Sequence, residues 1–315
     1  MASNEVSIAA VAELGERLKQ NIARAVRVPD TALRDVIVAL VADGHVLIED
    51  YPGVGKTALA RALARSISAE FARVQCTSDL LPSDVVGTNV YNQRENRFEF
   101  RPGPVFANVV LVDEVNRASP RTQSGLLESM QERSVTVDGY THELARPFMV
   151  LATQNPVEYE GTYPLPEAQL DRFTVRVQLG YPPASEEAAM LADHAVRDQV
   201  LDLEHVAGVA EVVAAQDGAG TVHASEPLRR YIVALLERTR GDSRTELGAS
   251  PRAGLMLLKA AKALAALNSR DHALPDDVQA MAVAVLSHRL LLAPEAAGVS
   301  RREIVEDALE RVPAL

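Results

Sequence analysis

A short apolar run, His45-Val46-Leu47-Ile48, breaks into a turn rich in glycine and proline and then gives way to a helical pattern. Between Thr57 and Ile67 the residues Leu59, Ala62, Leu63 and Ile67 recur at helical spacing. Strand, loop and helix in that order form the unit that begins a parallel α/β sheet. The loop reads Asp50-Tyr51-Pro52-Gly53-Val54-Gly55-Lys56-Thr57, with Ala58 next. The general phosphate-binding pattern is G-x-x-x-x-G-K-[ST]. Gly55, Lys56 and Thr57 stand in register with it, and Asp50 occupies the first glycine position. The physics survives that departure. Gly53 and Gly55 let backbone N–H groups turn toward phosphate oxygens, and the N-terminus of the following helix adds a partial positive charge. The loop from Asp50 to Ala58 therefore implies a bound nucleoside triphosphate, ATP. Lys56 is expected to bridge the β- and γ-phosphates, and Thr57 to ligate Mg²⁺.

The second half of such a site follows downstream. Val109 to Val112 does not alternate and reads as a buried central strand. It ends in Asp113-Glu114. An acidic pair at a strand end is commonplace alone, but after a phosphate loop it has a role. Asp113 would hold the Mg²⁺ shell, and Glu114 would orient or deprotonate the attacking water. Asn155 follows the strand Phe148–Ala152, at the end of a parallel sheet where ligands bind; it could align that water, or cap the turn at Pro156. Arg172 lies in Leu170-Asp171-Arg172-Phe173, and Arg252 in Ser250-Pro251-Arg252, within the first turn of a helix. A helix N-terminus disfavours a cation, so an anionic partner such as a nucleotide phosphate would remove a penalty there. A surface ion pair is the alternative for each arginine. The loop Tyr159-Glu160-Gly161-Thr162-Tyr163-Pro164 could contact a neighbour or pack on its own domain.

With 315 residues, 47% of them hydrophobic, the chain can form one large or two medium domains. Residues 1–30 read as a polar helix and connector. Thr31 to Asp43 reads as a helix with Gly44 as its left-handed stop. Ser119-Pro120 starts a helix carrying Leu126, Leu127 and Met130. Val135–Val137 and Tyr140–Leu144, joined by Asp138-Gly139, form a hairpin. Val175–Leu179 is the last strand. At Tyr181-Pro182-Pro183-Ala184-Ser185 the pattern turns alanine-rich and helical. The expected division is an α/β domain over residues 1–180 and a helical one over 181–315, with Ser250-Pro251 and the pair Ser300 and Glu303 starting two of its helices.

The balance of 32 basic and 43 acidic residues, net −11, opposes general nucleic-acid binding, and aromatic residues at 4% leave few stacking platforms. The single cysteine, Cys76, rules out an intrachain disulfide and reads as a buried thiol. No histidine spacing suits a metal site, no apolar run reaches transmembrane length, and Glu5, Glu13 and Glu16 break up any signal peptide. The cytoplasm is the expected compartment.

Together these residues resemble the MoxR family of AAA+ ATPases. The resemblance runs through Glu49 to Thr57, Asp79-Leu80-Leu81-Pro82-Ser83-Asp84 and Arg101-Pro102-Gly103-Pro104-Val105-Phe106. It continues in Asp113-Glu114-Val115-Asn116-Arg117-Ala118, Ala152 to Pro156, Glu167 to Phe173 and Ser250-Pro251-Arg252. It implies a P-loop NTPase fold: a three-layer α/β domain with a parallel sheet, then a smaller all-helical lid. Lys56 and Thr57 take the Walker A positions, Asp113 and Glu114 Walker B, Asn155 sensor 1, Arg172 the arginine finger and Arg252 sensor 2. Asn89–Phe100 resembles the insert within helix 2, and Val135–Leu144 the hairpin before sensor 1. ATP would sit between the two domains and between subunits. Similar proteins form hexameric rings that remodel client proteins, often with von Willebrand factor A-domain partners, in metal insertion or complex maturation. One segment departs: where the family carries Val-Gly-Gln near the adenine, this chain reads Ala25-Val26-Arg27-Val28-Pro29-Asp30. Three alternatives share parts of the pattern. A nucleotide-gated scaffold without hydrolysis is opposed by Asp113-Glu114, a metal-chelatase subunit by Asp50, and a DNA-acting ring motor by the acidic balance.

Overall fold

The computed structural model describes residues 7–155, 163–181, 199–296 and 298–314. Its central sheet holds five parallel strands, β1 (Val46–Glu49), β2 (Phe71–Gln75), β5 (Val109–Asp113), β8 (Met149–Gln154) and β9 (Val175–Val177), in the order β2-β5-β8-β1-β9. Neighbouring positions along a strand point to opposite faces, and the sheet's apolar side chains divide accordingly. Val46, Ile48, Val109, Leu111, Met149 and Leu151 join one core. Leu47, Val110, Val112, Val150 and Ala152 join the other. Both faces are covered, so β5 is buried throughout and shows the unbroken apolar run expected of a parallel strand.

The first face packs against α1 (Ile8–Ala23), α2 (Asp30–Val41) and α3 (Lys56–Ser66). The second packs against α4 (Pro82–Val86) and α5 (Pro120–Glu132), which contributes Leu126, Leu127 and Met130. Ser119 caps α5 by accepting from the Thr122 N–H, with Pro120 in its first turn. Two hairpins stand off the sheet, β3 (Gly87–Asn92) with β4 (Arg97–Pro102) and β6 (Ser134–Val137) with β7 (Tyr140–Glu143). Asp138 and Gly139 turn the second with φ of 50° and 83°, the left-handed pair that matches strand twist. Asn89 ties the hairpins together by donating to Asp138 Oδ2 at 2.7 Å. A short helix, α6 (Glu167–Leu170), precedes β9.

Beyond the sheet lie α7 (Val209–Thr221), α8 (Glu226–Arg240), α9 (Pro251–Leu267), α10 (Pro275–Leu286) and α11 (Arg301–Arg311). Ser250 caps α9 and Ser300 with Glu303 forms the capping box of α11. This region is not wholly helical: β10 (Thr245–Leu247) pairs antiparallel with β11 (Leu291–Leu292). The expected boundary falls at Tyr181, but Pro182 to Ser185 and the alanine-rich stretch to 198 lie outside the described residues. No helix of the described residues is long and apolar enough to cross a membrane.

Two local readings are corrected. The helix within residues 1–30 is amphipathic, not polar. Val11, Leu14, Leu18 and Ile22 are fully buried on one face, against α3, α7 and α9. Gly15 on that face lets Leu267 approach to where a Cβ would meet its Cδ2 at 2.3 Å. Gly44 is needed for space, not handedness. The left-handed residue is Asp43, with φ of 55°, whereas a Cβ on Gly44 would lie 2.0 Å from Thr174 Oγ1.

Candidate functional site

The phosphate loop connects β1 to α3. Gly53 and Gly55 hold φ of 86° and 90°, the region that costs glycine nothing and other residues a strain penalty. Nothing crowds a Cβ at either position, so conformation alone demands glycine. The loop borders a cleft of about 240 Å³ at the carboxyl ends of the central strands, lined by Pro52, Gly53, Gly55, Lys56, Thr57 and Ala58. Asp113, Glu114 and Asn155 line the opposite wall. Sequence positions spread over three strand ends therefore meet in one place.

Asp50, Tyr51 and Val54 do not line this cleft. Asp50 is buried, and its Oδ2 accepts from the N–H groups of Leu179 and Gly180, each at 2.6 Å. Its carboxylate faces the end of the sheet's edge strand, away from the expected nucleotide. Tyr51 stacks on Tyr181 with ring centroids 6.0 Å apart. Val54 is buried in the apolar core. Lys56 donates from Nζ to the Asp50 carbonyl at 2.7 Å. Burial lowers the Lys56 pKa, against the opposing charges of Asp50, Asp113 and Glu114.

Thr153 organises the acidic pair. Its hydroxyl donates to Asp113 Oδ1 at 3.3 Å and accepts the Glu114 N–H at 2.9 Å. Glu114 is held left-handed, with φ of 55° and ψ of 52°, a conformation costly for a residue with a side chain. Its carboxylate accepts from Arg117 Nη1 at 2.8 Å. The other oxygen of Asp113, Oδ2, accepts from Arg73 Nε at 2.7 Å. Arg73, Gln75 and Thr153 also line the cleft. Sequence reading gave none of the three a role. Arg73 and Gln75 become visible only once β2 is seen beside β5. Cys76, next along, is a buried core thiol that burial, then the Asp113 and Glu114 charges, push up to about 12.

Thr57 and Asp113 offer hydroxyl and carboxylate oxygens to one cleft. Such hard donors suit Mg²⁺, which ordinarily takes one or two carboxylates and fills its shell with water and substrate phosphates. The buried Asp113 carboxylate is already charge-compensated by an arginine, as an anionic site built to face a cation requires.

Arg172 and Arg252 lie elsewhere. Arg172 sits near Arg252, Glu128 and Glu132, and Arg252 Nη1 reaches Gln131 Oε1 at 3.5 Å. Those partners are at the last turn of α5, whose first residue follows the Glu114 loop. Its 13 residues span about 18 Å at 1.5 Å per residue. Burial, then the Arg252 charge, lower the Arg172 pKa, and its buried Nε has no hydrogen-bond partner. Among the described residues none beyond Asn155 lines the phosphate cleft. The described part of the helical region packs on α1 and α2. Of the tyrosine loop, Tyr159 to Thr162 lie outside the described residues. Tyr163 is anchored to Asn116, whose carbonyl accepts its N–H at 2.6 Å.

Comparison with known proteins identifies the family and the fold. Residues 45–175 match the ATPase family associated with various cellular activities (AAA), and residues 237–308 match the AAA lid domain. The chain is 50% identical to the Bacillus subtilis protein YeaC over 88% of its own length and 87% of that protein's. It is 38% identical to the chaperone MoxR1 of Mycobacterium tuberculosis, over 89% of this chain and 76% of that one. A solved structure of a candidate ATPase from Cytophaga hutchinsonii superposes with a TM-score of 0.91 at 37% identity, covering 98% of this chain and 97% of that one.

Proposed function

Because the chain belongs to the MoxR family of AAA+ ATPases and so hydrolyses ATP, we propose that it does so at a composite site between neighbouring copies, using the cycle to remodel partner proteins. The observation that carries this reading is the separation of Arg172 and Arg252 from the cleft of their own chain. Two guanidiniums side by side repel each other, and one stands in the first turn of α9 where the helix dipole adds to the penalty. An anion supplied from outside relieves both.

In this reading the amides around Gly53 and Gly55 and the Lys56 ammonium hold the phosphate oxygens. Lys56 leaves the Asp50 carbonyl to do so. Mg²⁺ held by Thr57 and Asp113 would supply the charge that neutralises the β- and γ-phosphates. Glu114 accepts a proton from the attacking water, Asn155 orients that water, and Thr153 fixes the backbone and carboxylate that place both acids. Arg172 and Arg252 of a neighbouring copy complete the γ-phosphate environment. An open or closed ring, of which a hexamer is the family's form, provides such neighbours. The chaperone description of the MoxR1 relative supports a protein client. A von Willebrand factor A-domain partner and metal insertion rest on the family resemblance alone. A cytoplasmic location is part of this proposal.

The test is complementation. Lys56→Ala leaves the arginines intact, and Arg172→Ala leaves the cleft intact. Each alone is expected to lose turnover, the second by about 10³–10⁵ if it acts as an arginine finger. Mixing the two should restore phosphate release, because a mixed interface pairs a sound cleft with a sound arginine. A mixture as inactive as its parts would show that Arg172 serves its own chain.

A further inference from the structure

We propose that Arg73 is a placeholder for the metal. In the structure it neutralises Asp113, and we infer that where Mg²⁺ and ATP are bound it gives up that carboxylate and turns onto the triphosphate. The inference rests on the cleft being the ATP site.

The geometry points to a partner exchange. β2 and β5 pair so that Gln75 lies opposite Asp113 and Arg73 opposite Leu111. From there Arg73 reaches toward the strand ends, placing Nε 2.7 Å from Asp113 Oδ2 and Nη2 3.2 Å from Gln75 Oε1. The two partners are unequally held. The Asp113 side chain is 10% exposed and that of Arg73 is 50% exposed. Asp113 is also fixed through Oδ1 by Thr153, so its position survives the loss of either partner, whereas the guanidinium has solvent on one side. A sunken carboxylate without a counter-charge is costly, and a pair is strongly weakened when one member goes. The cation nearest Asp113 must therefore compensate it whenever no metal is bound and yet be able to leave.

A divalent ion at Asp113 would stand beside the guanidinium at a distance where like charges repel. Arg73 already lines the cleft, so on leaving Asp113 it can turn toward the phosphates. An arginine fork suits phosphate oxygens as well as it suits a carboxylate. Lys56, waiting on the Asp50 carbonyl, makes a parallel exchange. Both cations rest on oxygens of the protein, and ATP with its metal would take the place of those oxygens.

The inference is tested by calorimetry with a non-hydrolysable ATP analogue, in Mg²⁺ and in EDTA. Binding by the wild-type protein is measured first, and its absence in both media would remove the ATP-site reading itself. Given binding, the ratio of affinities in the two media reports how much the site needs the metal. Arg73→Gln removes the resident cation, and the ratio is expected to rise by about twofold to fivefold, the range suited to a half-exposed pair. Mn²⁺ binding to the nucleotide-free variant, read by electron paramagnetic resonance, should tighten in the same sense because Asp113 is then uncompensated. Arg73→Met, which keeps the aliphatic stem over β2, is expected to match. In an Asp113→Asn background Arg73→Gln should leave the ratio unchanged. Wild-type ratios in both single variants, or a change that persists in the Asp113→Asn background, would overturn the inference.

Discussion

Asp171 Oδ2 accepts a hydrogen bond from Ser250 Oγ at 3.1 Å, while its Oδ1 takes Arg289 Nε at 2.7 Å. One carboxylate thus fastens the residue before Arg172 to the N-cap two residues before Arg252. The spacing of the two arginines is set by a group that never meets nucleotide. Arg289 is 1% exposed, so Asp171→Ala leaves a buried charge alone and should cost about 3–5 kcal/mol in urea unfolding. Ser250→Ala is milder. It removes a cap worth about 1 kcal/mol and is expected to lower turnover several-fold with ATP affinity unchanged.

Glu114→Gln keeps the side chain's size and removes its basicity. ATP affinity by calorimetry should stay within about threefold of wild type, while phosphate release falls by about 10²–10⁴. Wild-type turnover would take Glu114 out of the chemistry. A variant that binds ATP without hydrolysing it would be the form with which to seek the proposed client.

Restoring the general phosphate-loop pattern should harm this protein. Asp50→Gly matches the motif better, yet it strands the N–H groups of Leu179 and Gly180. Hydrogen bonds to a charged group contribute about 1.5–3 kcal/mol each, and solvent reaches part of this site. The expected loss is about 2–3 kcal/mol in chemical denaturation.

His45 gives the fold a pH dependence of definite sign. Its Nδ1 accepts the Val150 N–H at 3.0 Å, which leaves Nε2 to donate to the Met130 carbonyl at 3.1 Å. Only the neutral ring makes both bonds. Burial lowers its pKa from 6.5 to about 4. The unfolded chain therefore takes up the proton first as pH falls. Stability is fully present above pH 6.5 and is lost as pH falls through about 4. His288, buried and lowered in the same direction, adds to the slope. In urea midpoints between pH 7 and 4.5, His45→Gln should flatten this dependence, though not abolish it.

The phosphate loop, the acidic strand end and the Asp-Gly hairpin were legible because each is written within about ten consecutive residues. The helix caps at Ser119, Ser250 and Ser300 were legible for the same reason. Arg73, Thr153 and Asp171 were not, since their roles depend on which strands and segments lie side by side. Parallel strands joined by long crossovers carry no local mark of their register. The first helix was misread because Glu13, Glu16, Arg17 and Lys19 interrupt its apolar residues along the chain, although Val11, Leu14, Leu18 and Ile22 have the period of a buried stripe. Gly44 was assigned to the wrong physical cause: the crowding by Thr174 comes from a residue 130 positions away.

The apolar cluster that begins in α1 and α2 passes through α7 and α9 and reaches the sheet without interruption. Parting the helices from the sheet would wet that seam at about 25 cal/mol for every Å² uncovered. The subunit is therefore stiff across its middle. In an assembly of the kind proposed, work released at the cleft would be more readily delivered by tilting one whole copy against the next than by flexing a joint inside any one of them.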